Sequence, residues 1–178
     1  MILRSPLRRF LTLNGSLRAE SLNGRVQALA ASQTGVETRA FLGLGALPAF
    51  DPALDLAPPA PVAAFRALVK AADAVLISTP EYAHGVPGAL KNALDWMVGS
   101  GELVDKPVGV LLVSATDGAF ARDSLVEVLR TMSAKVPAGA VASIQGLRKD
   151  WPPGTEAPKH LVQTLQQVLG ALGVSLKG

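Results

Sequence analysis

The sequence predicts an α/β protein with a parallel sheet of five strands covered by helices on both faces. Strand-like and helix-like apolar patterns alternate along the whole chain, which is typical of this class. One strand is apolar throughout and therefore central, whereas another alternates apolar and polar residues and therefore lies at an edge. The chain has 178 residues, of which 49% are apolar, so we expect a single domain over residues 1–178 with a full core.

The elements follow from these patterns in order. The predicted strands span residues 10–13, 36–41, 74–78, 106–114 and 140–144. The predicted helices span about 23–32, 62–72, 87–99 and 120–134, and a last helix brings the leucines between 161 and 172 to one face. Residues 42–61 are rich in Pro and Gly without periodicity, which predicts a long surface loop. Residues 1–8 are expected to form a loose N-terminal arm.

Right-handed crossovers leave few ways to arrange these strands. The order 2-1-3-4-5 makes the alternating second strand an edge. It also places a crevice outside the carboxyl ends of strands one and three, where the strand order reverses. The two loops with unusual composition follow those same two strands.

Composition excludes several kinds of function. The chain has no cysteine, so disulfides, thiolate metal sites and a cysteine nucleophile are excluded, and its two distant histidines predict no metal site. The net charge of +3 comes without a basic run, which predicts no nucleic-acid binding. No apolar stretch is long enough for a membrane span and no signal peptide is recognisable, so a cytoplasmic location is expected by default.

The loop after the first strand, residues 14–23, carries groups that bind phosphate. Gly15 allows close approach of the backbone, Ser16 and Ser21 offer hydroxyls, Arg18 offers a charged fork, and Asn23 offers an amide at the start of a helix. The alternative is that Ser21 or Asn23 only caps the helix and Arg18 is a solvated side chain.

The loop after the third strand is rich in Pro and Gly and leads directly into an amphipathic helix. Such a turn presents main-chain N–H and C=O groups to a flat ligand edged by heteroatoms. A phosphate site and a flat-ring site at neighbouring strand ends together indicate bound flavin mononucleotide (FMN).

The two loops resemble those of the NADPH-dependent FMN reductase family, a branch of the flavodoxin-like fold, over about residues 10–173. Residues 124–134 are also similar to the fourth helix of its chromate- and quinone-reducing members. One departure is Ala83, where many members carry Asn. The matching residues are Asn14-Gly15-Ser16-Leu17-Arg18, Ser21 and Asn23 in the first loop, and Pro80-Glu81-Tyr82 with Pro87-Gly88-Ala89-Leu90-Lys91-Asn92-Ala93-Leu94-Asp95-Trp96 in the second.

The resemblance implies a three-layer flavodoxin-like sandwich with FMN as cofactor, NADPH or NADH as co-substrate, and no metal. The flavin would carry the chemistry, so no catalytic side chain is assigned. The implied cofactor site consists of Ser16, Arg18, Ser21, Leu22 and Asn23 at the phosphate, Pro80, Glu81, Tyr82, Ala83, His84 and Gly85 at the ring, and Ser114, Thr116 and Gly118 in a third loop.

Individual side chains near the ring allow two interpretations. Glu81 either transfers protons or only orders the turn, and Tyr82 either flanks the ring or packs on the next helix. His84 is either a pH-sensitive group at the site mouth or a solvated loop residue. Trp96 is either a core or a subunit-interface residue, and the interface is favoured because the helix that contains it resembles one that joins subunits into a homodimer or homotetramer.

The leading hypothesis is a flavoenzyme that passes a hydride from NAD(P)H through FMN to flavin, a quinone or another small acceptor. A flavodoxin-type electron carrier is the first alternative, although such carriers are typically acidic and this chain has a pI near 9.5. A regulatory domain of the same fold without cofactor is the second alternative.

Overall fold

The computed structural model describes residues 9–174 and 176, except for the side chains of residues 148 and 149. The predicted N-terminal arm, residues 1–8, lies outside the described residues. The five predicted strands are confirmed, all are parallel, and their order is β2-β1-β3-β4-β5. Their bounds are Arg9–Asn14 (β1), Glu37–Phe41 (β2), Ala74–Thr79 (β3), Val108–Ser114 (β4) and Val141–Gln145 (β5).

Helices connect the strands and cover the sheet, and the predicted ones are confirmed within a few residues at each end. The third helix ends four residues earlier than predicted, and turns continue to residue 100. A short helix after β5 was not predicted, because four residues carry no periodicity. The bounds are Leu22–Gln33 (α1), Ala60–Ala71 (α2), Gly88–Asp95 (α3), Ala119–Thr131 (α4), Leu147–Asp150 (α5) and Lys159–Ala171 (α6).

The sheet separates two apolar cores. Alternate residues of each strand point to opposite faces, so Val75 and Ile77 of β3 join the core beneath α2, α3 and α4, whereas Ala74 and Leu76 join the core beneath α1 and α6. β3 and β4 are buried on both faces, while β2 has no fully buried residue and pairs only with β1 among the described strands. No helix in the described ranges is long and apolar enough to cross a bilayer.

The prediction of a surface loop over residues 42–61 is wrong in part. The segment contains two short 3₁₀ turns, Leu44–Ala46 and Pro52–Leu54, and its last two residues already belong to α2. Leu44 and Leu47 are buried in the core beneath α2 and α3. The segment is therefore irregular but anchored, because its apolar side chains reach the core without a repeating pattern.

Arg66 of α2 fastens this segment to the end of α3. Its Nε donates to the Trp96 carbonyl oxygen at 2.7 Å, and its Nη1 donates to the Asp55 carbonyl oxygen at 3.2 Å. The guanidinium also pairs with the Asp55 carboxylate. Arg66 is only 8% exposed, so its charge is held away from solvent by groups from two other segments.

Trp96 follows α3 and is fully buried within the chain, so the prediction that its side chain contributes to a subunit interface is wrong. Its indole Nε1 donates to the Pro48 carbonyl oxygen at 2.8 Å, and its ring meets Phe50 edge-on at a centroid distance of 5.1 Å. Asn92 of α3 adds two bonds to the same segment, accepting from Phe50 N at 2.8 Å and donating to the Pro48 carbonyl at 2.9 Å. The indole therefore packs inward against the irregular segment.

Substitution Arg66→Met is expected to lower the free energy of unfolding by about 2–3 kcal/mol, because it leaves the Trp96 carbonyl and the Asp55 carboxylate without their donor. Urea denaturation measures the change. The matched control is Arg39→Met at an exposed position of β2, which should change the free energy by less than about 0.5 kcal/mol. Equal effects of the two substitutions would contradict the role of Arg66.

Candidate functional site

The loops after β1 and β3 meet at the carboxyl edge of the sheet. Gly15 N donates to the Ser78 carbonyl oxygen at 2.8 Å, so the first loop lies directly on the end of β3. A side chain at position 15 would place its Cβ 2.2 Å from Thr79 Oγ1, which is closer than atoms can approach. Glycine is therefore required at this crossing.

A cavity of about 680 Å³ opens between these loops and the loops after β4 and β5. Ser16 and Tyr82, one from each predicted loop, both lie on its wall. Most of the predicted site residues surround it together. The predicted residues that line it are Ser16, Arg18, Ser21, Leu22, Asn23, Pro80, Glu81, Tyr82 and Ser114.

Ser21 is the N-cap of α1, as one of the two interpretations of this residue predicts. Its Oγ accepts from Gly24 N at 2.9 Å and from Asn14 Nδ2 at 3.1 Å. A serine hydroxyl has two acceptor lone pairs and one hydrogen, so both lone pairs are used and the hydrogen remains to be donated. The hydroxyl of Ser21 is therefore available as a donor to a ligand.

The start of α1 provides further donors on the same wall. The first N–H groups of a helix have no partner within the helix and carry the positive end of the helix dipole, and Leu22 and Asn23 of this first turn both line the cavity. The side chain of Arg18 is exposed beside them, and no described residue forms an ion pair with it. This end of the cavity therefore favours an anion.

The side-chain amide of Asn23, which was predicted to bind phosphate, makes hydrogen bonds within the protein instead. Its Oδ1 accepts from Ser78 Oγ at 2.7 Å, and its Nδ2 donates to the Val113 carbonyl oxygen at 3.4 Å. The side chain is 3% exposed and joins α1 to β3 and β4. The side-chain amide of Asn23 therefore already has partners within the protein at both its oxygen and its nitrogen.

Asn14 opens the predicted phosphate loop, but no role for its side chain was predicted from the sequence. Its Oδ1 accepts from Ser16 N at 2.9 Å, while its Nδ2 donates to Ser21 Oγ. One side chain thus holds both serines of the first loop. The available signal was an Asn directly after a buried strand and before Gly, a position where Asn side chains organise turns.

The loop after β3, residues 80–87 (the ring loop), closes in a tight turn. Tyr82 N donates to the Gly85 carbonyl at 3.1 Å and Gly85 N donates to the Tyr82 carbonyl at 2.9 Å. The two residues between them, Ala83 and His84, both have positive φ, at 47° and 57°. This is the pattern of a type I′ turn, which disfavours Ala because its Cβ is crowded in the left-handed region.

Five predicted site residues do not line the cavity: Ala83, His84, Gly85, Thr116 and Gly118. The first three form the turn beside it, where the His84 ring stacks on Phe120 at a centroid distance of 4.3 Å. Gly118 begins α4 in the left-handed conformation, with φ 64°. These residues therefore shape the loops around the cavity rather than its wall.

Glu81 connects the ring loop to α4. Its Oε2 accepts from Ala121 N in the first turn of α4 at 2.8 Å, and its Oε1 accepts from Thr116 Oγ1 at 3.4 Å. A carboxylate at the N-terminus of a helix is stabilised by the helix dipole. The geometry agrees with the interpretation that Glu81 orders the loops.

The loop after β5 was also missed. Gly146 and Leu147 line the cavity, and Gly146 turns the chain with φ 64°. The signal was a glycine directly after a strand whose carboxyl end lies at the same edge of the sheet. Among the described residues, no group of three or more His, Cys, Asp or Glu could hold a metal ion.

Comparison with known proteins identifies the family. The profile of the family described as NADPH-dependent FMN reductase matches residues 8–147, well over half of the chain. The chain belongs to this family. The resemblance seen in the sequence is thereby confirmed.

Curated relatives of this FMN reductase family chain include a quinone reductase of Escherichia coli (strain K12), 37% identical over 117 residues. The matched region covers 62% of this chain and 61% of that relative's length. A 2-hydroxy-1,4-benzoquinone reductase of Burkholderia sp. is 41% identical over 83 residues, which is 46% of this chain and 45% of the relative. The match thus spans about three fifths or less of these relatives.

Solved structures confirm the flavodoxin-like fold. A flavoenzyme NAD(P)H:(acceptor) oxidoreductase from Paracoccus denitrificans superposes with a TM-score of 0.70 at 24% identity, covering 93% of this chain and 97% of its own. The apo form of an NADH:FMN oxidoreductase has a TM-score of 0.69 at 17% identity, with coverages of 96% and 91%.

Substitution Glu81→Ala is expected to lower the free energy of unfolding by about 1 kcal/mol, because the first turn of α4 loses its acceptor. Glu81→Gln, which keeps an acceptor oxygen, should cost less. Glu127→Ala, at an exposed position of α4, is the control for loss of a carboxylate that does not bind the start of the helix. Chemical denaturation of the three variants tests the role, and indistinguishable results would refute it.

Substitution Ala83→Asn is expected to raise the free energy of unfolding by about 0.5–1 kcal/mol, because Asn tolerates the left-handed conformation better than Ala. The control is Ala49→Asn, an exposed loop position that is not among the residues with positive φ. Thermal and urea unfolding should agree on the gain. A loss of stability at position 83 would show that the turn imposes no conformational cost on alanine.

Proposed function

We propose that this protein is an FMN-dependent oxidoreductase that takes a hydride from NADPH or NADH and reduces free flavin, a quinone or another small acceptor. The observation that carries the proposal is the cavity of about 680 Å³ at the ends of β1 and β3. The anion-binding residues and the loop suited to a flat ring both line this one cavity. Membership of the FMN reductase family supports the same conclusion.

The residues at the anion end fit the phosphate of FMN. The hydroxyl hydrogen of Ser21 is free to be donated because both lone pairs of its oxygen are used. The N–H groups of Leu22 and Asn23 and the exposed guanidinium of Arg18 complete the set, with the Ser16 hydroxyl beside them. In this proposal, these groups hold the phosphate dianion.

The other end of the cavity suits the isoalloxazine ring. Pro80 and Glu81 supply main chain on the wall, and Tyr82, which is 57% exposed, supplies an aromatic ring at the opening. Bound FMN would accept and donate the hydride, which is chemistry that no side chain of this site needs to perform. The protein positions the ring and leaves one side open, where Tyr82 limits access by solvent and substrate.

Quinones are the acceptor class that we favour. Several relatives are quinone reductases, including those of Escherichia coli and Pseudomonas putida. The stacked pair of His84 and Phe120 lies next to Tyr82 in the loop, and Phe120 is 60% exposed. The exposed ring of Phe120 thus lies beside the cavity rather than on its wall, where it offers an aromatic surface to an acceptor that extends past Tyr82.

The proposal includes a cytoplasmic location and assembly as a homodimer or homotetramer through the surface around α3. Trp96 takes no part in that surface, because its side chain is buried. The support lies in exposed apolar residues near the end of α3: Leu56 is 100%, Val98 58% and Val104 53% exposed. Exposed apolar groups of this kind are enriched where subunits meet.

The first test is an FMN titration of the purified protein, followed by anaerobic addition of NADPH. We expect saturable binding with a shifted visible spectrum and bleaching by NADPH. Arg18→Met should weaken FMN binding by about 10–100-fold, since a charge-assisted contact to phosphate is lost. Binding of riboflavin, which lacks the phosphate, should be nearly unaffected by Arg18→Met.

Arg130→Met, at an exposed position of α4, is the matched control and should leave both ligands unaffected. Binding of FMN without oxidation of NADPH would favour an electron carrier. No flavin binding at all would favour a regulatory domain and would sink the proposal.

A further inference from the structure

A second cavity of about 830 Å³ lies beside α1, on the side that faces the edge of the sheet. Its wall on the helix side carries small residues, and its wall on the sheet side belongs to β1 and β2. Short side chains leave a space into which a flat group can pass. The residues that create it are Gly24, Ala28 and Ala31 on α1, Thr12 on β1, and Thr38 and Ala40 on β2.

Gln27 lines this cavity, and its side chain carries a buried amide nitrogen without a partner. Gln27 is only 5% exposed, and its Nε2 has no hydrogen-bond partner in the protein. Among the described residues, only Ser143 Oγ shares this condition. Because an unpaired buried amide destabilises a fold, a ligand that offers an acceptor atom here would relieve the cost.

The two cavities adjoin at the anion-binding end of the first one. Arg18, Ser21 and Leu22 line both of them. Gln27 lies five residues beyond Leu22, about 7.5 Å further along the helix. A ligand whose phosphate rests at the start of α1 can therefore reach both the ring loop on one side and the amide of Gln27 on the other.

We propose that the second cavity takes the adenylate half of flavin adenine dinucleotide (FAD), so that the protein binds FAD as well as FMN. The inference rests on the proposed function, because it uses the same flavin position. The second phosphate lies next to Arg18 at the shared wall, and the adenine enters the space beside α1. Adenine ring nitrogens accept hydrogen bonds, which matches the free Nε2 of Gln27.

The charges around the cavity agree with this orientation. Arg25 is held in place by its stacking on Trp151, at 3.9 Å from the ring centroid, and by donation to the Trp151 carbonyl at 2.8 Å. Arg18 is thus the cation left for the pyrophosphate. Glu20 also borders the cavity, and its carboxylate accepts hydrogen bonds from hydroxyls such as those of ribose.

NADPH fits the second cavity less well than FAD. Its nicotinamide must lie against the flavin ring, at the Pro80–Tyr82 end of the first cavity. The second cavity adjoins the opposite end, at Arg18 and Ser21. A dinucleotide whose flavin already occupies the first cavity continues directly into the second.

Fluorescence titrations with FMN and FAD test the proposal without measuring activity. The unmodified protein should bind FAD at least as tightly as FMN. Ala28→Phe narrows the second cavity and should weaken FAD binding at least about tenfold while FMN binding is unchanged. Ala63→Phe, at an exposed position of α2 on the other side of the sheet, is the matched control and should affect neither ligand.

Gln27→Met keeps the side-chain length and removes the amide. It should weaken FAD binding about three- to tenfold and leave FMN binding unchanged, while thermal stability stays the same or rises. A purely structural role for Gln27 would instead lower stability and affect both flavins equally.

Tight FMN binding with weaker FAD binding that Ala28→Phe does not change would overturn the proposal and leave the proposed function standing. Failure of both flavins to bind would overturn the proposed function as well.

Discussion

The contact between Gly15 and the end of β3 is the constraint on which the site depends. The main chain of the first loop crosses β3 so closely that no side chain fits at position 15, and the N–H of Gly15 bonds to Ser78. Asn23 then ties α1 to the same serine and to β4. Gly15 and Asn23 thus both attach the anion-binding end to Ser78, at the end of the strand that the ring loop follows. The anion-binding end and the ring loop therefore lie in one cavity.

The strand order could be predicted because its signals are local. The alternation of β2 and the continuous apolar run of β4 each require only a few neighbouring residues. The irregular segment before α2 could not be predicted, because its shape depends on partners elsewhere in the chain. Arg66, Asn92 and Trp96 bind its main-chain carbonyls at Asp55 and Pro48, and the composition of the segment does not reveal such contacts.

The site shows the same division. Loop composition correctly brought Ser16, Ser21 and Tyr82 to one cavity, because parallel strands end at a common edge. Which atom of each residue faces a ligand depends on hydrogen bonds within the protein, so the internal bonds of the Asn23 amide could not be predicted from the sequence. For the same reason the sequence could not decide between core and interface for Trp96, which packs inward. The role of Gln27 could not be predicted, because a single polar residue in a helix belongs to no sequence motif that would indicate a ligand.

The bond from Glu81 to Ala121 has a consequence for how the mouth of the site can change. It joins residues 40 positions apart, so the segment that carries Tyr82 and the beginning of α4 behave as one mechanical unit. The stacked rings of His84 and Phe120 form a second contact between the same two segments. Altered preference for one acceptor over another would therefore call for paired replacements in both segments, since a change confined to one would be resisted by the other.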